Sequence, residues 1–238
     1  MPSYHLDYET RSRVDIRSQG SHRYANDPST KILCCAVAKD DEDPVIWRVD
    51  TGGDEALALM REVVDNPDNL IYAHNATGFE VPVSDALWEK TFGFLPPQHH
   101  QWRCTAVMAR KASLPYHLGK LGEALGITNQ KDKAGTSLIG LFSIPQKDGS
   151  FTKIADQPQK FDEFCEYCLQ DVRAEREVHR LLHRFELKGA PLDTFLADME
   201  MNLRGIPINL DAVANARSIV EDAAGPAEAQ FEKITGLN

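Results

Sequence analysis

Between Lys31 and Lys39 the chain runs through ILCCAVA without a single polar side chain. A strand with no polar face has to be buried, so Lys31–Lys39 reads as a strand inside the protein, and the rest of the fold has to cover it. Its neighbours read as strands as well. Ser3–Tyr8 (SYHLDY) is a short strand leading into a polar turn, and Pro44–Val49 (PVIWRV) is a third strand after the solvated acidic turn DDED. Together they predict an N-terminal antiparallel meander. Asp54–Val64 places Leu57, Met60, Val63 and Val64 at helical spacing, and Leu70–Ala73 (LIYA) is a fourth strand, short and buried.

Helices are expected at Glu80–Phe92, Thr105–Ala112 and Leu118–Leu125, the last ended by Gly126. A polar loop, Lys131–Gly135, precedes the apolar stretch Leu138–Phe142, and Pro145–Gln159 reads as a surface loop. Phe161–Leu187 is the strongest helix, and Gly189-Ala-Pro breaks it. Three strands, a helix, a further strand and then helices make an α/β layered domain. After Pro191 the character shifts to two amphipathic helices, Leu192–Leu203 and Asp211–Ala223, separated by RGIPIN. The expected organisation is a domain over residues 1–190 and a helical extension over 191–238.

A hydrophobic fraction of 42% over 238 residues supports a packed core and argues against disorder. With no long apolar run and no signal-like start in MPSYHLDYET, the expected setting is cytoplasmic. The five cysteines have no framework spacing. Cys165 and Cys168 form a C-x-x-C without a second ligand pair, so they read as reduced, half-buried thiols on a helix rather than zinc ligands. The net charge of −10 argues against tight duplex binding. It is compatible with clustered carboxylates that bind divalent cations and handle a few nucleotides at a time.

Three groups of residues carry candidate chemistry. Asp7 and Glu9 stand two apart at a strand end, so both carboxylates point to one face. Such a pair repels unless something positive lies between them, although strand-end acids are also common without a ligand. The second group is His74-Asn75-Ala76-Thr77-Gly78-Phe79-Glu80, a strand-to-helix junction of the kind that suits an anion. There Asn75 can cap the helix and Glu80 falls in its first turn, which equally explains both residues structurally. The third is Tyr167 and Asp171, four apart on one face of the long helix.

Taken together, LDYET, AHNATGFE and YCLQD resemble the three exonuclease motifs of the DEDD superfamily, and the tyrosine four residues before the last aspartate resembles its tyrosine subtype. The segments that begin DYETRSRVDIRSQG, WRCTAVMARKASLP and QKDKAGTSLIG are similar to the proofreading exonuclease domain of phage-type family A DNA polymerases. MNLRGIPINLDAV resembles the entry into their polymerase region. The likeness covers nearly the whole chain and includes no polymerase catalytic region.

The resemblance implies a ribonuclease-H-like mixed sheet flanked by helices, and a 3′–5′ exonuclease that releases nucleoside 5′-monophosphates from DNA 3′ ends. Its cofactors would be two divalent metal ions, Mg2+ or Mn2+, held by Asp7, Glu9, Glu80 and Asp171, with Tyr167 orienting the attacking water. Thr10 and Asn75 would contact the terminal nucleotide. Phe79 would stack on a base or belong to the core, and Lys131 and Lys133 would meet the backbone or solvent. Partners would be single-stranded or frayed DNA ends and a polymerase region in the same or another chain. In the family an acid stands four residues after the asparagine. Here Phe79 takes that place, and a bulge at the inserted Gly78 is expected to return Glu80 to the site. The other readings of the chain are a non-catalytic nucleic-acid-binding or polymerase-docking domain, and a 3′–5′ exoribonuclease acting on short RNA.

Overall fold

The structure is a computed structural model and describes residues 2–129 and 135–237. Five strands form one sheet in the order β3-β2-β1-β4-β5. They are β1 (Ser3–Arg11), β2 (Lys31–Lys39), β3 (Val45–Arg48), β4 (Leu70–Ala73) and β5 (Trp102–Cys104). β1, β2 and β3 are the expected antiparallel meander. β4 lies parallel to β1 on its other side, and β5 parallel to β4. This is the mixed sheet of a ribonuclease-H-like α/β fold. Two short helices, α1 (Ile16–Gln19) and α2 (Ser21–Asn26), fill the β1–β2 connection, where the sequence reads as a polar turn. β5 has no counterpart in the sequence reading, because three residues are too few for a period to register.

The alternation of β1 sorts its side chains. Tyr4, Leu6 and Tyr8 join Ile32, Cys35 and Val37 of β2 in the larger core, under α3 (Asp54–Asp65) and α4 (Glu80–Phe92). The odd-numbered residues of β1 face the other way. On that face β2 contributes Leu33, Cys34, Ala36 and Ala38 to a second core with Phe161, Phe164, Cys165, Cys168 and Val172. The register skips from Glu9↔Cys34 to Thr10↔Ile32, so the extra residue is Leu33 on β2 and the alternation of β1 is unbroken.

Helices α5 (Thr105–Lys111), α6 (Leu118–Leu125) and α7 (Gly135–Phe142) lead to α8 (Pro158–Leu182), which packs on β1 and β2. α8 starts three residues before its expected position, with proline in its first turn, where a missing N–H does no harm. It ends at Leu182 in a 3₁₀ turn, His183–Phe185. The chain divides into two compact units, Met1–Leu203 and Arg204–Asn238. In the first, α9 (Ala190–Arg204) buries Met199 and adds Phe195, Leu196 and Leu203 to the larger core. In the second, α10 (Leu210–Thr235) is capped by Asn209, whose side chain accepts from the Ala212 N–H. It runs through Pro226 well past Ala223, the expected end. Among the described residues no helix is long and apolar enough to cross a membrane.

One polar pair is locked into the α8 face of the sheet. His5 Nδ1 lies 2.6 Å from Glu175 Oε2, with the two side chains 1% and 3% exposed. Burial would raise the Glu175 pKa, but the adjoining His5 outweighs it, and the carboxyl sits below its ordinary value. A carboxyl whose folded pKa is lowered contributes stability above its unfolded pKa, and that contribution is lost as pH falls through the folded value. Glu175→Gln should therefore destabilise the protein at neutral pH, by about 3 kcal/mol for a broken buried pair. Denaturant melts of the two proteins should converge as pH drops below the usual carboxylate range. A gap that stays constant with pH would show that charge is not what this pair contributes.

Candidate active site

Asp7 and Glu9 come from the α8 face of β1, opposite Ala36 and Cys34 of β2. Those small neighbours leave room above the sheet for α8, and α8 presents Tyr167, Cys168 and Asp171 on the stripe that meets β1. As a result, oxygens of Asp7, Glu9 and Asp171 all lie within 4.8 Å of one another. Asp171 is 4% exposed and Glu9 8%, so their charges have little water to screen them. Three carboxylates at this separation repel unless a cation or a proton lies among them. The donor set is hard oxygen only, which suits Mg2+ or Mn2+ and fits the expected cofactor class.

Among the described residues, the thiol that touches the group, Cys168, is not a competing ligand. Cys168 Sγ lies 3.5 Å from both the backbone oxygen and Oδ2 of Asp7, and its S–H donates toward them. Burial, with the charges of Asp7 and Glu9, pushes its pKa up, so it stays protonated. All five cysteines are buried and free.

Tyr167 stands beside the carboxylates and is 3% exposed. Burial raises its pKa, and Asp171, Glu9 and Asp7 raise it further by their charge, with a hydrogen bond to Asp171 adding to the effect. Its hydroxyl is therefore a fixed, protonated group. Phe164 lies parallel to its ring at 6.4 Å between centroids, and Gly135 at the start of α7 approaches its Cδ2–Cε2 edge. A Cβ at Gly135 would fall 2.2 Å from Tyr167 Cε2, so only glycine permits this approach.

The β4–α4 junction is built differently from the expectation. The positive φ belongs to Asn75 (73°), and Ala76–Gly78 forms a 3₁₀ turn. Gly78 lies within this turn, without a positive φ of its own. It makes room for the Asn75 amide, which a Cβ at Gly78 would meet at 2.6 Å. Glu80 opens α4 and is 2% exposed, but it does not join the three-carboxylate group. Asn75 does reach the site, lining a cleft of about 260 Å³ together with Asp7, Asp171, His74, Tyr116 and His117.

The other expected substrate contacts are engaged in the fold. Thr10 Oγ1 lies 2.6 Å from the Tyr24 hydroxyl in a buried pair. Phe79 is half-buried against the larger core, 6.2 Å from the Tyr24 ring. Lys131 and Lys133 lie outside the described residues. The sequence reading missed Cys168, Gly135, Tyr116 and His117. For Cys168 a signal existed, since it stands three residues before Asp171 and so shares its helical face.

No family model matches the chain. In sequence it is 33% identical over 253 residues to the DNA polymerase of Bacillus phage SP02, an alignment that covers 100% of this chain and 36% of that protein. The chain thus spans about a third of that relative's length. Among solved structures, it is similar to the family B DNA polymerase of Pyrobaculum calidifontis, with a TM-score of 0.48 and 17% identity over 82% of this chain and 27% of that one. It is also similar to Brucella melitensis NrnC, with a TM-score of 0.45 and 16% identity over 83% and 80% of the two chains. The chain is a homologue of one segment of a phage DNA polymerase, and Asp7, Glu9, Tyr167 and Asp171, which meet at its site, come from the first and third of the exonuclease motifs that its sequence resembles.

Proposed function

We propose that this chain is the metal-dependent 3′–5′ exonuclease, or proofreading, portion of a phage-type DNA polymerase, with residues 1–190 as its exonuclease domain and 191–238 leading toward a polymerase region. The observation that carries this reading is the convergence of Asp7, Glu9 and Asp171 within 4.8 Å, next to a buried Tyr167. Asp7, Glu9 and Asp171 would hold one divalent ion. A second would draw on Asp7 and, through water, on Glu80. Bound divalent ions supply Lewis acidity and lower the pKa of an attacking water.

The remaining work falls to the chain's own groups. The three carboxylates fix where the cation charge sits. The Tyr167 hydroxyl holds the attacking water by a hydrogen bond, a positioning role that suits a buried phenol, whose ordinary pKa near 10 makes it a poor base at neutrality. Asn75, on the cleft wall, contacts the terminal nucleotide.

The test uses a 3′-labelled single-stranded DNA and an RNA of the same sequence, each with Mg2+, Mn2+ or chelator. Metal-dependent release of mononucleotides from DNA is the expected result. Release that continues in chelator would overturn the metal chemistry, and release from RNA alone would replace DNA as the substrate. Tyr167→Phe should lower kcat by about 10²-fold, the scale of a lost positioning bond. The wild-type rate should show no alkaline limb from this phenol between pH 7 and 10. A limb present in wild type and absent in Tyr167→Phe would make the tyrosine a titrating group.

A further inference from the structure

β1 carries one more charged side chain on the carboxylate face. Arg11 follows Glu9 by two residues on a strand whose alternation is intact, so its Cα stands about 7 Å beyond that of Glu9 along the same stripe. Its guanidinium lies 4.9 Å above the centre of the Phe151 ring. Its Nε is buried and has no hydrogen-bond partner among the described residues. Other arginines of this unit that are not fully exposed have polar partners, as Arg103 has Glu186 and Arg176 the Glu42 carbonyl. Arg48 holds Asp50 and Asp162, Arg173 holds Glu166, and Arg180 holds Asp41. Arg13, two residues on, donates to the Gly149 carbonyl. In a chain with 36 acidic and 26 basic residues, a half-buried guanidinium with an unused donor is an exception that an anion would resolve.

The wall behind Arg11 is built rather than incidental. The Ser12 N–H donates to the Ser143 carbonyl, and Arg13 to that of Gly149. The turn between them is closed by the Gln146 and Ser150 backbones and by Asp148, which accepts from the Ser150 N–H. Phe151 leaves this turn and places its ring under Arg11. A guanidinium held against an aromatic face keeps its donor edge free and pre-oriented, the arrangement that suits the paired oxygens of a phosphate.

We propose that Arg11, backed by Phe151, binds a phosphodiester of the substrate strand adjacent to the one being cut. This rests on the exonuclease reading above, because that reading places the scissile phosphodiester at Asp7 and Glu9. A strand anchored there brings a neighbouring phosphodiester within reach of Arg11. The arginine gives an otherwise acidic chain a local point of attraction for a polyanion.

The experiment compares two substrates, oligo(dT) and the p-nitrophenyl ester of thymidine 5′-monophosphate, which has no neighbouring phosphodiester. Arg11→Met should raise KM for oligo(dT) about tenfold, as for a lost hydrogen bond to a charged group, with kcat unchanged. The slope of log KM against log salt should become shallower by about 0.7, one single-strand phosphate contact. Arg11→Lys should restore the slope but only part of the affinity. Kinetics on the nitrophenyl ester should not change. Equal loss on both substrates, or an unchanged KM for oligo(dT), overturns the assignment. If the wild-type chain hydrolyses neither, the exonuclease reading falls, and anisotropy of labelled oligo(dT) in chelator decides Arg11 by itself. Weaker binding by Arg11→Met with a shallower salt slope supports the contact, and identical binding refutes it.

Discussion

Asp7→Ala is expected to lower release of mononucleotides from a single-stranded oligonucleotide by about 10³-fold or more, and to leave the chain folded. Removing a single electrostatic contact in an active site costs about 10²–10³-fold. Asp7 should exceed that range, since it belongs to the group that holds the cation in place. It lies on β1, the central strand, opposite Ala36 and beside Cys168.

The same geometry predicts the opposite effect on stability. Without divalent metal, Asp7, Glu9 and Asp171 repel across less than 4.8 Å, so Asp7→Asn should stabilise the protein in chelator. Relief of about 1 kcal/mol corresponds to roughly 2–4 °C in Tm for a chain of this size. Added Mg2+ should raise the wild-type Tm through binding to the folded state, and should raise that of Asp7→Asn much less. An inactive variant that is also less stable in chelator would mean that Asp7 is structural rather than a ligand. Glu80→Ala is the internal control. Glu80 stands outside the three-carboxylate group, so its loss should be smaller, about 10–100-fold, as for a residue that acts on the metal through another group.

Gly135→Ala is expected to cost about 10²-fold in kcat, comparable to Tyr167→Phe, although the substitution leaves every candidate metal ligand in place. Helix propensity predicts the reverse, since alanine is favoured over glycine by about 1 kcal/mol inside a helix. Here contact decides the sign. The added Cβ would stand 2.2 Å from Cε2 and 2.6 Å from Cδ2 and Cζ of Tyr167, well inside van der Waals distance. The ring is buried in the second core beside Phe164 and has little room to retreat. It has to tilt, and its hydroxyl moves with it. Displacement of a positioning group by about 1 Å can cost 10²-fold. The double mutant supplies the check. In a Tyr167→Ala background no ring remains to be displaced, so Gly135→Ala should cost nothing further. Losses that multiply instead would show that Gly135→Ala disturbs α7 generally rather than the tyrosine. Full activity of Gly135→Ala alone would show that this contact does not set the ring.

Much of the architecture was legible because its signals are local. The apolar run of β2, the alternation of β1 and the helical spacing of α3, α4 and α6 each depend on residues a few positions apart. The structure returns Glu80–Phe92 and Leu118–Leu125 with the expected bounds. The failures have equally local causes. β5 is too short for a period. In α10 the reading stops at Ala223, before Gly225 and Pro226, yet the helix accommodates that proline and continues to Thr235. At Gly78 the chain shows an apparent insertion but not its geometry. A glycine permits positive φ and close approach alike, and here the neighbouring Asn75 takes the positive φ while Gly78 provides the space.

The site divides along the same line. That Asp7 and Glu9 share a face follows from the two-residue period of a strand, and that Tyr167 and Asp171 share one follows from the helical turn. The sequence alone determined both pairs, because each is a property of one element. Only the tertiary structure decided that the two pairs meet, since the small residues of β2 let α8 lie close over β1. It also decided that Glu80 stays outside the group, that Gly135 approaches the tyrosine and that Arg11 lacks a carboxylate partner among the described residues. Each of these depends on distances between residues far apart in the chain, and such distances are set by packing.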